Sequence, residues 1–116
     1  MATKDPLERF FAELAARGHE PLLRKASGST RFEVRDGRRT RRWLVTVDDG
    51  DIAVLSGSGA AACVMRADKA VFDRIVAGRV NAVAAVLRGD LEVEGDWRLL
   101  VRMQRLFPGR RRRARA

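Results

Sequence analysis

The chain has 116 residues, 46% of them apolar, so one hydrophobic core and a single domain are expected. One cysteine, Cys63, excludes a disulfide within the chain, and no apolar run approaches the ~18 residues that a membrane-spanning helix needs. The net charge of +9 owes more than half its value to five arginines among the last seven residues, which weakens it as a sign of nucleic-acid binding.

Asp5-Pro6-Leu7-Glu8 reads as a helix start, with an acid at the cap, proline at the first position and a glutamate behind it. Leu7, Phe10, Phe11 and Leu14 then form one apolar stripe, and Gly18 stops the helix. From His19 to Ser29 no period is visible, so Pro21 and Ser27-Gly28-Ser29 read as a connection to a sheet. Thr30 to Arg35 alternates, with Phe32 and Val34 on one face, and Asp36-Gly37 offers a hairpin turn.

A basic run of Arg38, Arg39, Arg41 and Arg42 precedes a second strand, Trp43 to Val47, which puts Trp43, Val45 and Val47 together. Asp49-Gly50 makes the next turn, Ile52 to Leu55 a third strand, Ser56 to Gly59 a flexible turn and Ala62 to Arg66 a fourth strand. An antiparallel meander of these four strands is the simplest topology. Asp68 caps a helix with an inward stripe of Val71, Phe72, Ile75 and Val76 that Gly78 ends, and Asn81 caps another, carrying Val83, Val86 and Leu87, that Gly89 ends. Leu91 and Val93 face inward on a fifth strand, Gly95 hands the chain to Asp96, and Asp96 caps a last apolar helix that Pro108 terminates. The body is expected to fill 1–108, with 109–116 a disordered arginine-rich tail.

This order of elements, and above all Gly78, Asn81, Leu87, Gly89, Leu91, Val93, Gly95 and Asp96, resembles the sterol carrier protein family across nearly the whole chain. Asp90 and Ala82 depart from the family's usual lysine and proline at those places. The resemblance implies an α+β fold, a five-stranded, mainly antiparallel sheet with helices packed on one face, and an apolar tunnel between them. It also implies non-enzymatic binding or carriage of a fatty acid, acyl-coenzyme A, sterol or other lipid.

The residues expected to line such a tunnel are Trp43, Val45, Val47, Cys63, Met65, Phe72, Ile75, Val76, Val83, Leu87, Leu100 and Met103. Each is equally explained as ordinary core. Trp97 would staple the last helix to the sheet or guard a tunnel mouth. Arg38, Arg39, Arg41 and Arg42 are candidates for a lipid head group or an anionic membrane surface, which the tail would attract by roughly 1 kcal/mol per basic residue; a solvated strand edge explains them as well.

Catalysis finds no marked nucleophile beside His19, the only histidine, and Asp48, Asp49 and Asp51 have hairpin rather than calcium-loop spacing, so neither a metal nor another cofactor is expected. The single cysteine and an N-terminus without a continuous apolar core fit a cytoplasmic protein, and the arginine and alanine bias a GC-rich, bacterial coding sequence. The alternatives are a ligand-free interaction module, as a monomer or homodimer, that uses the same apolar helix, and a basic nucleic-acid-binding protein acting through its tail.

Overall fold

A computed structural model describes residues 5–57 and 59–107. Pro108 and the arginine tail lie outside the described residues. The first helix, α1 (Pro6–Arg17), forms as its end signals require: the Asp5 carboxylate accepts from the Leu7 N–H at 3.0 Å, and Gly18 takes the left-handed conformation at φ 68°. Leu7, Phe11 and Leu14 are its buried face.

The next segment is more ordered than its composition suggests. Glu20 caps a 3₁₀ turn, Pro21–Leu23, which drives Leu23 into the core, and Ala26 follows it inside. Strand β1 (Ser27–Asp36) therefore begins three residues before the alternation starts, because Ser27, Gly28 and Ser29 pair with Asp48, Val47 and Thr46. The basic run is no loop either: β2 (Arg39–Asp48) includes Arg39, Arg41 and Arg42, and the hairpin closes over Gly37-Arg38.

Strand β3 (Asp51–Ser56) completes an antiparallel trio, closed by Asp49 and Gly50, both at positive φ. The meander ends there. Strand β4 (Cys63–Asp68) pairs parallel to β1, and β5 (Glu92–Gly95) pairs antiparallel to β4, so the sheet order is β3-β2-β1-β4-β5. The link from Ser56 to Cys63 crosses the sheet's outer face instead of turning a hairpin. Gly59 rests against Leu44 and its carbonyl accepts from Arg31 at 2.7 Å. Six intervening residues comfortably cover the three strand spacings, about 14 Å, that the crossing requires.

The sheet has two unlike faces. Outside, Glu33 joins Arg31 and Arg66 at 2.8 Å each and Arg42 at 3.4 Å, and Arg66 continues to Glu94 at 3.1 Å. Inside, Phe32, Val34, Val45, Val47, Cys63, Met65 and Ala67 are buried beneath α1, α2 (Lys69–Val76), α3 (Ala82–Leu87), α4 (Trp97–Met103) and a closing 3₁₀ turn, Gln104–Leu106. The architecture is a five-stranded, mostly antiparallel α+β sheet with helices on one face, as expected.

Candidate functional site

The layer between sheet and helices holds most of the residues expected to line a tunnel. Val45, Val47, Cys63, Met65, Phe72, Ile75, Val76, Leu100 and Met103 are buried in one cluster, and Trp43 and Val83 pack against it half-buried. Period-two alternation on the strands and the 3.6 period on α2 and α4 put these side chains on facing surfaces.

Leu87 does not join them. It stands 80% exposed at the end of α3, since that helix approaches the core through its small residues, Ala82 and Ala85, with Val83 and Val86 at the margin. Two alanines admit a closer approach than a valine and leucine stripe, so the helix turns its last leucine outward.

The aromatic residues run deeper than the sequence pattern suggested. Phe11 of α1 stacks on Trp43 with centroids 4.6 Å apart, and Phe32 contacts Phe11, Phe72 and Phe107 edge-on at 5.2, 6.0 and 6.4 Å. Phe10 stacks on Phe107 at 5.3 Å. A chain of six rings thus crosses the layer from β2 to the last turn, adding edge and stacking attraction to the area they bury. Phe10, Phe11, Phe32 and Phe107 belong to this layer as much as the expected residues do. The stripe of α1 was the available signal, but a stripe alone shows that a helix packs and not which rings it meets.

Beside the rings, Phe10, Val76 and Leu106 form part of an open concavity of about 270 Å³ between α1 and the end of α2, rimmed by Arg9 and Glu13. It leads from the surface to the edge of the aromatic chain. The C-terminal cover is tied together by one bond across elements, from the Val83 N–H to the Gln104 side-chain oxygen at 3.1 Å.

Polar groups inside the layer are sparse. The buried Thr30 hydroxyl has no nitrogen or oxygen partner and stands beside the thiol of Cys63, its register partner in β4. Burial, helped by the negative charge of Asp96 and partly offset by the Thr30 hydroxyl, pushes the Cys63 thiol up to about 11, so it is a neutral apolar group at physiological pH and not a nucleophile. His19 lies at the surface with Nδ1 2.7 Å from Asp51, remote from the layer. Asp48, Asp49 and Asp51 sit around the β2–β3 turn.

The four arginines proposed for a head group do not make one site. Arg41 binds Asp5 at 3.1 Å and Glu8 at 2.5 Å while its guanidinium lies 4.6 Å from the Trp43 ring centre, which fastens the start of α1 to β2. Arg42 points to Glu33 on the opposite face. Arg38 and Arg39 remain exposed at the hairpin. Alternating side-chain direction along β2 divides a run that is continuous in sequence.

Residues 7–108 match the model of the SCP-2 sterol transfer family. A curated relative, the peroxisomal multifunctional enzyme A of Dictyostelium discoideum, is 25% identical over 99 residues; the match takes in 83% of this chain but only 22% of that protein's length. Among solved structures, palmitated SCP2L2 of Aedes aegypti superposes with a TM-score of 0.68 at 16% identity, covering 91% of this chain and 94% of that one. The sec-alkylsulfatase Pisa1 of a Pseudomonas species reaches 0.70 at 19% identity, covering 91% of this chain and 16% of the enzyme. With an apolar layer between one sheet face and its helices, and a family match over nearly its whole length, the chain belongs to the SCP-2 sterol transfer family.

Proposed function

We propose that this protein binds and carries a hydrophobic ligand of the fatty-acid, acyl-coenzyme A or sterol class, held between the inner sheet face and α2, α3 and α4, and that it does so without catalysing a reaction, as a cytoplasmic domain filling 1–108. The observation that carries the reading is the continuous layer of rings, methionines and aliphatic side chains in a chain matched to a lipid-transfer family. The palmitate bound by the similar mosquito protein supports the ligand class.

Affinity would come from burial alone. Each Å² of acyl or sterol surface removed from water stabilises the complex by roughly 25 cal/mol, so a guest needs no reactive partner. Room is made by parting the layer, with Phe10, Val76 and Leu106 at the mouth. The sheet side is continuous backbone ladder, whereas α3 and α4 have six and seven residues. Helices so short have little stability of their own. They are the side that yields, and the Val83–Gln104 bond makes α3 and the last turn yield together.

The test is to extract the purified protein with organic solvent, identify the lipid released, and titrate the stripped protein with a fluorescent fatty acid. Stoichiometric uptake, displaced by unlabelled fatty acid or sterol, is expected. No uptake across fatty acids, acyl-coenzyme A and sterols would sink the carrier reading and leave the apolar layer as plain core.

A further inference from the structure

Helix α4 has two apolar faces of opposite fate. Leu99, Leu100 and Met103 turn into the layer, while Trp97 and Val101, four residues apart on the other side, remain 45% and 54% exposed. Leu22, 57% exposed in the turn after α1, lies beyond Arg105, which donates to its carbonyl at 3.5 Å. Packing of the core has no use for a tryptophan and a valine exposed together on one helix face, with a third exposed apolar side chain on the far side of Arg105.

Cations surround them. Arg98, Arg102 and Arg105 flank Trp97 and Val101 in an open concavity of about 410 Å³. Arg102 and Arg105 also border a second, of about 290 Å³, with Leu22, Arg24 and Lys25. A third, of about 200 Å³, joins Lys25 to Arg98 and Arg102. These hollows share side chains and form one continuous surface. The carboxylates nearby are otherwise occupied: Asp96 caps α4 while lying 3.4 Å from Arg98, and Glu20 caps the 3₁₀ turn while pairing with Arg17. Among the described residues no carboxylate pairs with Arg24, Lys25, Arg102 or Arg105 within 4.0 Å.

We propose that this face, the outer side of α4 with Leu22, Arg24 and Lys25, docks the protein on an anionic lipid bilayer. The inference rests on the carrier reading for its purpose and on the surface alone for its chemistry. Indole, valine and leucine enter the head-group boundary, and the five cations meet lipid phosphates around them, the side-chain division that interfacial helices use. A second copy of the chain is a poor occupant, since a two-fold contact would set this cationic ring against itself. Nucleic acid would satisfy the cations but leaves Val101 and Leu22 without a role.

The test uses the full chain, with residues 109–116 kept in every variant so that their charge is constant. Sedimentation with phosphatidylcholine vesicles, with and without phosphatidylglycerol, is expected to show binding only to the anionic ones, falling with salt. Arg98→Gln, Arg102→Gln and Arg105→Gln combined should weaken partition by roughly 100-fold. In a Trp43→Phe background, the remaining Trp97 emission should shift to the blue on anionic vesicles. Fluorescent fatty-acid uptake without vesicles should be unchanged in the triple variant, which separates failure of docking from failure of carriage. Equal vesicle binding by the triple variant and the parent, no Trp97 shift, binding to a mixed-sequence RNA but not to vesicles, or a dimer in light scattering that Trp97→Ala abolishes would each overturn the proposal.

Discussion

Thr30 is the one buried side chain among the described residues whose oxygen finds no nitrogen or oxygen partner, with only the weakly bonding thiol of Cys63 beside it, and it sits in the inner face of the central strand. A hydroxyl stripped of water without a bond costs about 1–3 kcal/mol, and valine has nearly the same shape. Thr30→Val should therefore stabilise the ligand-free protein by about 1 kcal/mol, read as a higher urea midpoint at unchanged slope. A lower midpoint would mean that the contact with the Cys63 thiol is worth more than the hydroxyl loses on burial. Threonine belongs in strands by propensity, and alternation alone already places position 30 on the inner face with Phe32 and Val34. That the hydroxyl would meet only a thiol was not legible, because it depends on what the neighbouring strand offers.

Glycines show how elements meet, and two that look alike in the sequence differ in space. Gly89 ends α3 at φ 82° with nothing within 4 Å of where a Cβ would be, so Gly89→Ala should cost only the left-handed penalty of about 1–2 kcal/mol. Gly95 has φ 96°, and its added Cβ would stand 2.2 Å from the Ala62 carbonyl oxygen. That oxygen accepts from the Asp96 N–H at 2.9 Å, so the clash falls on the junction that joins β5 to β4 and starts α4. Gly95→Ala should cost about 3 kcal/mol or more, and urea unfolding of the two variants side by side checks the ranking. Equal losses would show that backbone dihedral alone matters. Helix starts at Asp5, Asn81 and Asp96 and the inward sides of β1 and α2 were readable because each is set within a few residues of chain. The parallel pairing of β4 with β1 was not, since alternation looks the same whether a neighbour runs up or down, and a Ser-Gly link carries no direction. The outward turn of Leu87 was hidden for a related reason: which side of a six-residue helix faces in depends on how close the sheet lets it come.

Across the molecule, two carboxylates connect what the apolar layer leaves separate. Burial alone would raise Asp5, but the Leu7 N–H, Arg41 and Lys69 outweigh it and hold its carboxyl below the usual range, so one side chain joins α1, β2 and α2. Burial likewise opposes the shift at Glu33, where Arg66 and Arg31 prevail, linking β1 to β4 while Arg42 reaches in from β2. A carboxyl depressed in the native state adds stability that is fully present above its unfolded value, near 4, and is lost as pH falls through the native value. Stability should therefore decline on acidification below about pH 4 to 5, with general repulsion in an already cationic chain adding to the loss. The two causes separate in Asp5→Asn, with the urea midpoint followed from neutral to acid pH. The variant should be less stable than the parent at neutral pH, decline less steeply, and meet it at the acid end, where position 5 is uncharged in both. Repulsion acts on both chains alike once the carboxyls are protonated, so it cannot produce that convergence. A constant gap at every pH would instead assign Asp5 a role of shape, as the cap of α1, and remove its charge from the account of how helix, strand and helix are held together.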